Sequence, residues 1–154
     1  MINDIDNTIP EFGDAVPEAN YLPRPGGYGI IRGDNGRIAV VETPIGIYLP
    51  GGGIDPGESA EDAVIRETRE ESGLAVRTLE MIGVANELVY TAEGIYFRKQ
   101  CTFFTCQVTD AAAVPIAEPD HELLWISPGD ALERLSHGSQ RWAVNLAYGG
   151  APKA

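Results

Sequence analysis

A chain of 154 residues with 44% hydrophobic residues is expected to form one domain, residues 1–154, with a proper core. Its formal net charge of −12 argues against a long nucleic-acid partner, because a phosphate backbone needs clustered Lys and Arg. No apolar run approaches the roughly 20 residues of a membrane span, and the start lacks the basic and apolar segments of a secretion signal, so no membrane partner and a cytoplasmic location are expected.

Residues 1–25 are acidic and hold Pro10, Pro17, Pro23 and Pro25, which predicts an extended or partly mobile N-terminal segment. From Tyr28 the pattern becomes strand-like: YGIIR, a GDNG turn at 33–36 and RIAVVE read as a β-hairpin. A short strand at 47–49 leads into Gly51, Gly52 and Gly53, which with Pro56 and Gly57 predict a loop where backbone approaches a ligand closely. Ser59 is an N-cap with Asp62 in capping-box position, Ala60, Ala63 and Val64 supply an apolar stripe, and Gly73 suits a left-handed terminus. A helix from about 60 to 72 follows.

Residues 75–90 are β-prone, and 94–108 are rich in aromatic and β-branched residues, which predicts a central strand. Cys101 and Cys106 would point to opposite faces of it, which disfavours a disulfide and suits two buried thiols in a reducing compartment. An acidic loop at 109–121 precedes a short strand at 122–126. Ser127, Pro128 and Asp130 open a helix with Ala131, Leu132 and Leu135 on its apolar face, and His137 is expected near a helix end. A second helix from Ser139 carries Trp142, Ala143, Leu146 and Ala147 and stops near Gly149 and Gly150. Strands interrupted by one helix and closed by others predict an α/β fold, a mixed sheet covered on both faces.

The chemistry concentrates in residues 52–74, GGIDPGESAEDAVIRETREESGL. On a helix Glu67, Glu70 and Glu71 project from one stripe, close enough to share a cation. Like charges this close cost stability unless something positive sits among them, and hard divalent ions such as Mg²⁺ prefer carboxylate oxygens together with substrate phosphates. A solvated glutamate-rich face is the plain alternative. The wider spacing decides between them, because it resembles the signature of the Nudix hydrolases, the MutT-like enzymes: G-x5-E-x7-R-E-U-x-E-E-x-G-U, with U a bulky apolar residue. Gly52, Glu58, Arg66, Glu67, Glu70, Glu71, Gly73 and Leu74 all match. Thr68 stands where the first U would be, and keeps the branched shape and part of the apolar surface.

The resemblance implies an α/β/α sandwich with the signature helix against the sheet. It implies divalent-metal-dependent cleavage of a pyrophosphate bond in a nucleoside diphosphate linked to another moiety, of nucleoside triphosphate or dinucleoside polyphosphate type. Mg²⁺ would be the ion, with Mn²⁺ a substitute, the partner a small nucleotide, and the assembly often a homodimer. Glu67, Glu70 and Glu71 would hold the metal, with Gly52 supplying a carbonyl. Glu58 would join through water or pair with Arg66, unless it is merely a first-turn acid favoured by the helix dipole. Arg66 can pair with Glu70 and orient the carboxylates. Glu71 is the first choice of general base within the helix, and Glu118 is preferred over Asp120 and Glu122 in the loop.

Substrate contacts are assigned to Arg24, Tyr28, Tyr48 and Tyr90, with Tyr96, Phe97 and Trp142 as further rings able to stack a base. A tyrosine at about the place of Tyr90 is associated with the dinucleoside-polyphosphate branch of the family. Two other functions compete: a catalytically silent nucleotide-binding sensor, and an isoprenoid diphosphate isomerase that would need a reactive cysteine.

Overall fold

Ile30 and Ile31 are neighbours in sequence, and each is 0% exposed in a different core. A strand turns successive side chains to opposite faces, so consecutive apolar residues demand cover on both sides of the sheet. The computed structural model describes residues 9–110 and 119–149 and has that architecture. Its strands are β1 (Glu11–Phe12), β2 (Leu22–Pro23), β3 (Gly26–Arg32), β4 (Ile38–Thr43), β5 (Gly46–Tyr48), β6 (Gly51–Gly53), β7 (Ala75–Tyr90), β8 (Tyr96–Asp110) and β9 (Glu122–Ile126). Its helices are α1 (Ala60–Ser72), α2 (Pro128–Arg134) and α3 (Gly138–Ala147).

The strands form one mixed sheet, ordered β1-β7-β8-β3-β4-β5, with β2 beside β8, β6 beside β3 and β9 beside β4. β3 and β8 run parallel at its centre, and β7 and β8 form a long antiparallel ribbon. On one face Val64 of α1 packs among Ile31, Ala39, Phe104 and Cys106. On the other, Ala131, Leu135, Ala143 and Val144 meet Ile30, Ile38, Val40 and Phe103. Burial of each Val, Leu or Ile side chain contributes about 1.5–3 kcal/mol. This is the expected α/β/α sandwich. Cys101 and Cys106 fall in the two separate cores, and burial pushes each thiol up to about 12.

α1 begins and ends where its local sequence dictates. Ser59 Oγ accepts from the Asp62 amide at 3.0 Å, and Asp62 Oδ2 accepts from the Ser59 amide at 3.1 Å. Gly73 ends the helix in the left-handed region at φ 78, its amide donating to the Arg69 carbonyl at 2.9 Å. A Cβ on Gly27 would stand 2.3 Å from the Ala60 carbonyl oxygen, so α1 starts directly against β3.

The hairpin at 28–42 forms only at its turn. Arg32 pairs with Ile38, and the two strands then separate, β3 to pair with β6 and β8, β4 with β5 and β9. Residues 9–25 hold two short strands and a turn between them, in which the Ala19 amide donates to the Val16 carbonyl at 3.2 Å: β1 adds in parallel to β7, β2 to β8, and the Glu11 carboxylate meets Arg98 at 2.8 Å. Trp142, read as a ring that could stack a base, instead packs between Phe12 and Phe103, at 6.2 Å from each ring. His137 sits at the start of α3 rather than near a helix end, because Leu135 already leaves α2 in extended backbone. No helix among the described residues is long and apolar enough to cross a membrane.

Candidate active site

β6 is three glycines, and this absence of side chains lets α1 press its carboxylates against the strand. The Gly51 amide donates to Glu71 Oε1 at 3.0 Å. A Cβ at Gly52 would stand 2.6 Å from Oε2 of Glu67, so that carboxylate lies directly on the Gly52 main chain. Glu67 and Glu71, one helical turn apart, thereby face the same strand. Together with β6 they line a cleft of about 1020 Å³, which Tyr28 of β3 and Val41 and Thr43 of β4 also border.

Behind them Arg66 is a hub. Its Nε donates to Glu58 Oε2 at 2.6 Å, and Nη2 donates to Glu58 Oε1 and to the Gly53 carbonyl, both at 3.0 Å. Nη1 lies 3.3 Å from Glu67 and 3.3 Å from Glu70, and Asp55 is 3.4 Å away. These acids hold the guanidinium firmly protonated, Glu58 first among them, and Arg66 in turn holds the Glu58 carboxyl below the usual carboxylate range. The close spacing of acids on α1 is tolerated because this one cation sits among them. Of the two places expected for Glu58, the structure shows the pairing with Arg66.

The three helix carboxylates are thus not equivalent. Glu67 and Glu71 line the cleft; Glu70 has a side chain 41% exposed and turns to Arg66. Among the described residues no three His, Cys, Asp or Glu side chains converge as a finished metal cage. The donors at the cleft edge are nevertheless all oxygens, two carboxylates beside a glycine main chain. That set fits a hard divalent cation of the kind held by one or two carboxylates and completed by water and substrate phosphates.

The remaining expected residues divide. Arg24, Tyr48 and Tyr90 line the cleft. Tyr48 meets the His137 ring edge-on at 4.9 Å, and Tyr90 is 64% exposed with its ring 4.5 Å from that of Tyr96. Tyr28 also borders the cleft but is a core residue, 8% exposed and 5.9 Å from Phe103, and burial, with Glu71 and Glu67 nearby, raises its phenol and keeps it protonated. Its strand position turns it inward, so it forms floor rather than a free stacking face. Glu118 lies outside the described residues. Of the loop acids that are described, Asp120 lines the cleft, although the sequence ranks it below Glu118. Thr68 is fully buried, as a bulky apolar residue would be, and its Oγ1 has no hydrogen-bond partner among the described residues.

Lys99, His121, His137 and Gln140 also line the cleft. Gln140 Oε1 accepts from the Leu49 amide at 2.8 Å across 91 residues, and burial lowers the His137 imidazole. Only long-range folding brings them to the site.

Comparison with known proteins agrees with this geometry. The NUDIX domain model matches residues 23–146. A protein of Bacillus subtilis (strain 168) named "Putative 8-oxo-dGTP diphosphatase" is 34% identical over 106 residues, covering 68% of this chain. The match spans 66% of that protein's own length, and 20–43% of the other curated relatives'. A NUDIX hydrolase from Nitrosomonas europaea superposes with a TM-score of 0.69 at 20% identity, covering 84% of this chain and 90% of that one. The crystal structure of a MutT NUDIX hydrolase from Burkholderia pseudomallei gives a TM-score of 0.58 at 29% identity, covering 81% and 98%.

Proposed function

The chain belongs to the NUDIX domain family, and from that premise we propose that it hydrolyses a pyrophosphate bond in a nucleoside diphosphate linked to another group, of nucleoside triphosphate or dinucleoside polyphosphate type. The observation that carries this reading is the pair Glu67 and Glu71, set on a side-chain-free strand at the edge of a nucleotide-sized cleft. Glu67, Glu71 and the Gly52 main chain would hold a divalent cation, Mg²⁺ with Mn²⁺ as substitute. Such a cation, when bound, neutralises charge on the phosphates and makes a water more acidic.

The protein's own groups do the positioning. Arg66 fixes the orientation of Glu67 from behind and pairs with Glu58 and Glu70. Glu71, whose Oε1 is fixed by the Gly51 amide, is the general base we favour within the helix. Asp120, which lines the cleft, and Glu118, two residues before it, are the loop carboxylates we propose to share that work. Arg24, Tyr48 and Tyr90 would contact the nucleotide.

The isomerase alternative needs a reactive thiolate, and both cysteines are buried thiols pushed up to about 12, the opposite of activation. The test is product analysis over a nucleotide panel with Mg²⁺ or Mn²⁺. The hydrolase reading expects turnover at a phosphorus–oxygen bond that stops on chelation. Tight binding without turnover of any member would favour a silent sensor.

A further inference from the structure

Across the glycine strand from the carboxylates, the cleft has a second charged wall of opposite sign. The parallel register of β2 on β8, Leu22 opposite Phe97 and Pro23 opposite Arg98, carries Arg24 alongside Lys99. Strand alternation puts Lys99 on the same face as Cys101 and Phe103, the face that α3 covers. Both cations line the cleft. The Arg24 guanidinium reaches β6, where a Cβ on Gly53 would stand 3.4 Å from its Nε. The Glu67 carboxylate touches the adjacent glycine, so the two walls are one residue apart along β6, a step of about 3.8 Å.

Among the described residues neither cation is held in a salt bridge: Arg24 lies 5.2 Å over the Phe97 ring, and Lys99 feels the longer-range charge of Glu87. The salt bridges among the described residues go to Arg66 and Arg98. Glu87, which faces Lys99 across the β7–β8 ladder, directs Oε1 to the Ser139 amide at 2.9 Å, at the start of α3. Burial lowers the Lys99 ammonium, and Arg24 beside it adds to the effect while Glu87 acts against it. A partly buried ammonium beside an exposed guanidinium is a pair of like charges that an anion would relieve. In a chain of net charge −12 such an anion must be attracted locally.

We propose that Lys99, with Arg24, is the site for a phosphate group beyond the pair being cleaved, and that Lys99 thereby selects substrates with a chain of three or more phosphates over sugar-linked diphosphates. This rests on the hydrolase reading above. A diphosphate bridge has its charge met at the Glu67 and Glu71 edge by bound cations. The further phosphate is what the second wall is placed to take, one strand step away.

The experiment compares wild type, Lys99→Met and Lys99→Arg in calorimetric binding of inorganic tripolyphosphate and pyrophosphate, with Mg²⁺ present. Wild type should bind tripolyphosphate about tenfold or more tightly than pyrophosphate, Lys99→Met should lose that margin, and Lys99→Arg should keep most of it. In kinetics, Lys99→Met should raise KM for a nucleoside triphosphate while kcat and the KM for a sugar-linked diphosphate stay nearly unchanged. A margin that survives Lys99→Met overturns the assignment, whatever the enzyme hydrolyses. Loss of the margin in a protein that turns over no nucleotide keeps the phosphate site and removes the hydrolase reading instead.

Discussion

Arg66 Nε lies 2.6 Å from Glu58 Oε2, which ties the loop before Ser59 to the second turn of α1. The bond carries charge on both sides, and through Nη1 the same guanidinium reaches Glu67, which lines the cleft. Arg66 is therefore a positioning residue.

Arg66→Ala should lower activity by about 10–100-fold, the usual cost of removing a group that orients a metal ligand. It should also change the acid limb of stability. In the folded protein Glu58 is held below its unfolded value of about 4.3, so its contribution is present above that pH and fades as pH falls through the folded value. Melting temperatures from neutral pH downward should decline less steeply in Arg66→Ala than in wild type. Identical acid limbs would mean that the pair stores no stability.

Glu67→Gln and Glu71→Gln should each lose two or more orders of magnitude in kcat, because both carboxylates border the cleft. Glu70→Gln should lose far less, since that side chain is half out in solvent and faces Arg66. The sequence motif treats the three alike; steady-state kinetics with Mn²⁺ titration on each variant separates them. Equal losses in all three would show that Glu70 swings into the cleft with substrate.

Gly52→Ala is the steric counterpart. Its Cβ would stand 2.6 Å from the Glu67 carboxylate, a flexible group that can move aside. Thermal stability should therefore change little while activity falls with the displaced ligand. A variant with unaltered kinetics would show that the Glu67 position has slack.

Thr68→Val tests the one departure from the motif. The hydroxyl is buried without a partner among the described residues, and an unsatisfied buried polar group costs about 1–3 kcal/mol. Replacing it by a methyl of similar shape should raise stability by about 1 kcal/mol in denaturant titration. A loss of stability would reveal a partner, such as a buried water, for Oγ1.

What could be read from the chain alone was whatever depends on neighbours in sequence. The capping box at Ser59, the left-handed Gly73 and the period of α1 are local, and each formed where the residues place it. Alternation predicted that Cys101 and Cys106 would part, and they lie in different cores. The signature spacing pointed to Glu67, Glu70 and Glu71 because one helix carries all three. It could not show that Glu70 turns to Arg66, nor that Tyr28 faces inward, because those depend on which strand α1 and β3 lie against. That Arg24 and Lys99 share one wall depends on the fold in the same way. Arg24 meets Lys99, and Leu49 meets Gln140, only through strand register and helix packing across long stretches of chain. Helix periodicity and capping act over a few residues, whereas a cleft is made by pairings whose partners are chosen when the whole sheet assembles.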